Sequence, residues 1–128
     1  MKKLCVMVAA LFLNIASFSQ QTDWKEMHAF HSVMSKTFHP AEGGNLKPVK
    51  ENAIELVTKA KSWQLSKAPV GYNEKVTSPI LKQLVEKCNA IDAAVKAKKS
   101  DKELTKLITE AHDIFHEIME KCKVGEKH

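Results

Sequence analysis

The sequence contains no arginine and has few of the residues that build turns, sheets and disulfide frameworks. Its 128 residues include four Gly, four Pro and three Cys, and aromatic residues make up only 6%. So little Gly and Pro excludes a collagen-like chain and argues against a β-sandwich. Without Arg, the chain has no bidentate readout of phosphate or guanine. Lys alternates with Glu along most of the chain, so the formal charge of +5 indicates a solvated helix surface rather than a nucleic-acid interface.

Long apolar runs are also missing, and the most apolar stretch lies at the N-terminus. Lys2 and Lys3 precede an apolar stretch over 4–15, interrupted only by Asn14, and small residues follow before Gln20. Spanning the bilayer takes about 20 apolar residues, so this stretch is short for a membrane anchor. The pattern is typical of a cleaved secretory signal peptide. We predict a signal peptide over 1–20, a mature domain over 21–128, a periplasmic or secreted location, and no stable membrane insertion after cleavage.

Four segments of the mature chain carry apolar residues at steps of three and four, which is the spacing of one helix face. The helices are predicted over 23–38, 46–66, 74–98 and 101–123. Ser100 and Glu103 match a capping box before the last helix. His39 followed by Pro40 predicts the end of the first helix, because a residue before Pro avoids the α region. Four amphipathic helices with short links indicate an all-α fold, an antiparallel up-down-up-down four-helix bundle.

Each segment has an apolar stripe that we predict to be buried. The stripes are Trp24, Met27, His31, Met34 and Phe38; Val49, Ala53, Leu56, Ala60 and Trp63; Leu81, Leu84, Cys88, Ile91 and Val95; and Leu104, Leu107, Ile108, Ala111, Phe115, Ile118 and Cys122. The link between the first two helices is predicted to be the longest and to carry Glu42. Antiparallel packing of the last two helices separates Cys88 from Cys122 by about 18 Å along the bundle. A disulfide needs Cα atoms within about 7 Å, so two free thiols are predicted, with Cys88 buried.

The distribution of histidine is uneven. Of the six His, one is the terminal His128, and the others avoid the second and third helices. In an antiparallel bundle the start of the first helix lies level with the end of the last. His28 is then level with His116 to within roughly 3 Å, at a rise of about 1.5 Å per residue. The same reckoning sets His31 level with His112.

Each of the two histidine-bearing helices also has a chelating pair. The first helix has imidazoles three residues apart and the last has imidazoles four residues apart, and either spacing places both rings on one face. We therefore predict that at least three ring nitrogens converge on a divalent transition metal, zinc or copper being favoured. The predicted ligands are His28, His31, His39, Glu42, His112 and His116.

Two short segments carry a family resemblance. The segment 23–27, DWKEM, places Met27 early in the first helix, and the segment 114–118, IFHEI, places His116 near the end of the last. The chain resembles the soluble b-type four-helix-bundle cytochromes over about residues 22–122, with cytochrome c-prime a more distant relative. The resemblance implies non-covalent haem b held by Met27 and His116. No Cys-x-x-Cys-His motif is present, so covalent haem is not expected, and the additional His residues depart from that family.

Three functions remain open from the sequence. The first is a metal-binding module for sequestration, delivery or sensing, the second an electron carrier with haem b, and the third a structural or interaction bundle without a cofactor. The chain has no GxSxG, HExxH, Gly-rich phosphate loop or Glu-x-x-His motif, so it is not predicted to be an enzyme. The expected partner is a metal ion rather than nucleic acid, and a homodimer is left open.

Overall fold

Four α-helices make up most of the described chain. The structure is a computed structural model in which residues 24–122 are described. The helices are α1 (Lys25–Glu42), α2 (Lys47–Leu65), α3 (Glu74–Lys96) and α4 (Asp101–Lys121). No strand is formed between residues 24 and 122, so the all-α prediction is confirmed for this range. The predicted signal peptide over 1–20 and the terminal His128 lie outside the described residues.

Local sequence signals account for most helix starts. The Ser100 hydroxyl accepts a hydrogen bond from the backbone N–H of Glu103 at 3.1 Å, which confirms the predicted N-cap of α4. The Asn73 side chain caps α3 in the same way. Pro48 lies in the first turn of α2, where its missing N–H costs no helical bond. α1 begins after Trp24, which provides no side-chain cap.

α1 continues through Pro40, so the prediction that this residue ends the first helix is wrong. Pro40 lies in the last turn, where its ring removes a single backbone hydrogen bond. Its carbonyl accepts hydrogen bonds from the N–H groups of Gly43 at 3.0 Å and Asn45 at 2.9 Å, which close the helix end. Ala41 is buried, so packing holds this additional turn in place.

The connections differ from the predicted ones as a result. Since α1 extends to Glu42, the first connection spans only 43–46, and Gly44 takes a left-handed φ of 92° within it. The longest connection is 66–73, between α2 and α3, so the predicted long first link is wrong. Glu42 therefore belongs to the last turn of α1 and not to a loop.

The core contains nearly all of the predicted stripes. Every predicted stripe residue of α2 is buried, and in α3 and α4 only Val95 and Leu107 are no more than partly buried. In α1 the buried face is wider than predicted and adds Phe30, Val33 and Thr37. Cys88 and Cys122 are buried free thiols, which confirms the predicted unpaired state of both. Burial raises the pKa of Cys88 to about 12, so this thiol is inert near neutral pH.

The helices pack sequentially, and α1 also contacts α4, although less closely than it contacts α2. At one end of the bundle the Trp24 indole N–H donates to the Ser66 hydroxyl at 2.8 Å. At the start of α3, the backbone N–H of Asn73 donates to the backbone carbonyl of Cys122, also at 2.8 Å. Among the described residues, no helix has the length and apolar character that crossing a membrane requires. The open seam between α1 and α4 is where the histidines lie.

Candidate functional site

The α1–α4 seam carries a row of imidazoles that we call the histidine face. It comprises His28, His31, His39, His112 and His116. His112 is half-buried, and the other four are exposed. The seam is the least closely packed of the contacts between neighbouring helices, so bulky polar rings fit along it without entering the core.

Two of these imidazoles cross the seam and stack on phenylalanine rings. His31 of α1 stacks on Phe115 of α4 with ring centroids 4.9 Å apart and an interplanar angle of 24°. His112 of α4 stacks on Phe38 of α1 at 3.8 Å and 8°. Each of the two helices thus contributes one Phe ring and one His ring to these stacks. Stacked aromatic pairs contribute about 0.5–1.5 kcal/mol beyond area burial, so both rings are held in defined positions.

His31 is exposed, so the prediction that it lies in the buried stripe is wrong. Phe30 occupies the core position instead, and its ring lies 5.7 Å from Trp63 and 5.9 Å from Phe115. His31 is left at the edge of that cluster, with one ring face over Phe115 and the remainder in solvent. Phe30 rather than His31 is buried because burying an imidazole removes its two nitrogens from water.

The level of the rings also differs from the prediction, by about one turn of α4 for His31 and about two turns of α1 for His112. His31 was expected opposite His112, but it stacks beside His116, on the preceding residue Phe115. His112 lies instead against Phe38, seven residues further along α1 than His31. The packing of the aromatic core sets the register between α1 and α4. The prediction aligned the two helices by their ends, and the ends do not determine that register.

The closest pair of imidazoles lies on adjacent turns of α4. The ring centroids of His112 and His116 are 4.5 Å apart, at an interplanar angle of 68°. A metal–imidazole bond of about 2.0–2.1 Å places the ion roughly 3 Å from each ring centroid. Two rings bound to one ion then have centroids roughly 4.5–5.5 Å apart. The spacing of this pair is therefore suited to a shared ion.

Carboxylates lie at both ends of this pair. The Nδ1 atom of His116 is 3.8 Å from Oε2 of Glu120, one turn further along α4. Across the seam, Nδ1 of His39 is 3.6 Å from Oε1 of Glu42. A carboxylate beside an imidazole orients the ring and favours a bound cation. Glu42 lies in the last turn of α1 rather than in a loop, and its role as a metal ligand stays a prediction.

Among residues 24–122, no three His, Cys, Asp or Glu side chains are arranged to hold one ion. The predicted convergence of three ring nitrogens is thus not formed in the structure. Without a cation, neutral imidazoles gain nothing from directing their lone pairs at one point, whereas stacking on Phe38 and Phe115 covers apolar surface. The structure brings together His112 and His116, and sets the three α1 histidines beside them.

The environment favours the neutral form of two rings. Partial burial lowers the pKa of His31 below its ordinary value of 6.5, and the nearby His28, His116 and His39 lower it further. Burial also lowers the pKa of His112, and His116 and His39 add to this effect. Asp113 and Glu42 act in the opposite direction on His112. Both shifts favour the neutral imidazole, the form that binds metal ions.

These pKa values predict that acid destabilises the metal-free protein. Since the unfolded chain binds protons more readily than folded His31 and His112, the free energy of unfolding should fall as pH decreases below about 6.5. Urea denaturation between pH 8 and pH 5, with EDTA present, measures this slope. The double substitution His31→Gln, His112→Gln should flatten it. A loss of stability that is equal at all pH values in this variant would instead report lost packing and contradict the prediction.

The two residues implied by the cytochrome resemblance lie in different surroundings. Met27 is buried, and its sulfur accepts a hydrogen bond from the Tyr72 hydroxyl at 3.7 Å. His116 is exposed on the histidine face beside Glu120.

Sequence reasoning missed three residues of this site. Phe38 and Phe115 were assigned to the core, but their rings also hold His112 and His31 across the seam. Glu120 was not selected, although its position four residues after His116 is the ordinary spacing of a helix side-chain pair. That spacing could have identified Glu120, whereas the cross-seam stacking depends on the register between helices.

Comparison of the chain with family models, with curated proteins and with solved structures finds no match. The resemblance to the b-type cytochromes therefore stays a prediction.

Proposed function

We propose that this protein is an exported four-helix bundle that binds a divalent transition-metal ion, copper or zinc, on its histidine face. The observation that carries the proposal is the His112–His116 pair, whose centroid separation of 4.5 Å suits a shared ion. His28, His31, His39 and Glu42 of α1 are the further candidate ligands. The role that follows is sequestration, delivery or sensing of the metal.

The helices of this bundle alternate in direction in our proposal. Contacts at the helix ends support the alternation, since Trp24 before α1 binds Ser66 after α2, and Asn73 before α3 binds Cys122 after α4. Lys50 near the start of α2 also lies 3.3 Å from Asp101 at the start of α4. An up-down-up-down order makes α1 and α4 neighbours, which is what the histidine face requires.

The donor chemistry supports zinc or copper over harder cations. Imidazole is a good ligand for Zn²⁺ and Cu²⁺, whereas Mg²⁺ and Ca²⁺ prefer arrays of oxygen ligands. The lowered pKa values of His31 and His112 reduce competition from protons at pH 7. Glu42 and Glu120 provide negative charge beside the rings, which favours a divalent ion.

The location and the alternatives belong to the same proposal. The N-terminal pattern of a basic pair, an apolar stretch and small residues supports export to the periplasm or the exterior. A haem b carrier through Met27 and His116, or a bundle without a cofactor, remains the alternative. Neither has an observation comparable to the imidazole pair in its favour.

Removing the α4 pair is expected to abolish tight metal binding. The substitution His112→Gln, His116→Gln should weaken binding of Zn²⁺ and Cu²⁺ by more than about 100-fold, since losing two ligands exceeds the 10–100-fold effect of outer-shell changes. Isothermal titration calorimetry of untagged protein measures the affinity, and circular dichroism checks that the variant folds.

The matched control is Glu110→Gln on the same helix. Glu110 lies one turn before Ile114 and pairs with Lys87 of α3 at 2.8 Å, in the α3–α4 groove that is separate from the histidine face. This variant loses a carboxylate of α4 but keeps every imidazole. Equal affinity of the wild-type chain and the double His variant would refute the metal site. A Soret band in the purified protein that Met27→Ala abolishes would instead establish the haem alternative.

A further inference from the structure

The imidazole pair of α4 is an incomplete ligand set. Protein-bound Zn²⁺ is almost always four-coordinate, with three or four protein ligands. Within residues 24–122, no third His, Cys, Asp or Glu is placed to join two others on one ion. His112 and His116 together supply two ligands, so the remaining positions are left to water, to α1 side chains that would have to move, or to a second molecule.

The pair is open to solvent on the side of His116. Phe38 covers one face of the His112 ring at a centroid distance of 3.8 Å, and this contact leaves the ring nitrogens uncovered because their lone pairs lie in the plane of the ring. His116 lies on the outer side, with 48% of its side chain exposed. The flanking Glu120 and Asp113 are exposed as well. An ion bound to both rings is therefore accessible to a second molecule from solvent.

A second copy of this chain has the chemistry that the open side requires. About a two-fold axis, two identical surfaces meet, so each His112–His116 pair contributes equally to a shared ion. The result is a shell of four imidazoles, a set that suits tetrahedral Zn²⁺ and also Cu²⁺. Asp113 and Glu120 from the two copies repel each other without the ion, and the charge of a bound divalent cation offsets that repulsion.

From this arrangement we infer that two copies of the protein share one metal ion through their His112–His116 pairs, and that the metal links otherwise separate chains. The inference rests on the proposed function, because it takes the α4 pair as the anchor of the ion. It adds that the complete site is intermolecular, so the metal controls the assembly state of the protein.

Sedimentation velocity and native mass spectrometry of the untagged protein, titrated with Zn²⁺, test the inference. We expect a monomer in EDTA, a doubled mass at half an equivalent of Zn²⁺ per chain, and return to monomer on chelation. His116→Gln should prevent the increase in mass, and Glu110→Gln should leave it unchanged. Circular dichroism of both variants separates loss of assembly from loss of folding.

The outcomes separate the inference from the proposed function. A monomer that binds one ion per chain, with affinity dependent on His112 and His116, overturns the shared site and leaves the proposed function in place. No metal binding at all overturns both. A dimer that forms equally in EDTA, or that survives His116→Gln, also overturns the inference, because the interface would then not depend on the ion.

Discussion

Trp63→Ala is expected to lower the free energy of unfolding by about 3–5 kcal/mol, the range found when a buried large aromatic is truncated. Trp63 is fully buried, and its ring lies 5.7 Å from both Trp24 and Phe30 and 5.8 Å from Phe115. It therefore joins aromatic residues from α1, α2 and α4 in one cluster. Domains of this size have a total stability of about 5–15 kcal/mol, so the variant loses a large part of it.

The matched control for this experiment is Trp63→Phe. The indole Nε1 of Trp63 is buried and has no hydrogen-bond partner among the described residues. Replacement by Phe loses volume but also removes this unsatisfied donor, so it should cost about half as much as Ala. Urea denaturation followed by circular dichroism measures both, since tryptophan fluorescence itself changes. A cost below about 1 kcal/mol for Trp63→Ala would show that the aromatic cluster does not stabilise the bundle.

The helices could be predicted because their signals are local. The stripe of α2, from Val49 to Trp63, is buried in full, and the Ser100 cap forms as expected. Both depend only on spacing within one segment. Pro40 shows the limit of such rules, because the buried Ala41 and the hydrogen bonds to the Pro40 carbonyl hold a last turn that the local preference disfavours.

The composition of the histidine face could be predicted, but its internal geometry could not. The absence of His from the second and third helices is a property of the sequence, and α1 does contact α4. Which rings meet depends on the register between those helices, and the packing of Phe30 against Trp63 and Phe115 sets it. The observed register replaces the expected His31–His112 contact with two His–Phe stacks.

Phe115 connects this core to the site, and its replacement should change both. Phe115→Ala is expected to cost about 3–5 kcal/mol of unfolding free energy, because the ring is buried and packs against Phe30 and Trp63. Phe115→Leu keeps most of the volume and should cost less, yet it removes the aromatic surface under His31. Because one face of the His31 ring is then less covered, the pKa of His31 should rise toward its ordinary value. Proton NMR titration of His31 in the Leu variant measures this change, and urea denaturation measures the stability of both variants. An unaltered His31 titration, together with the loss of stability, would show that Phe115 supports the core without positioning the histidine face.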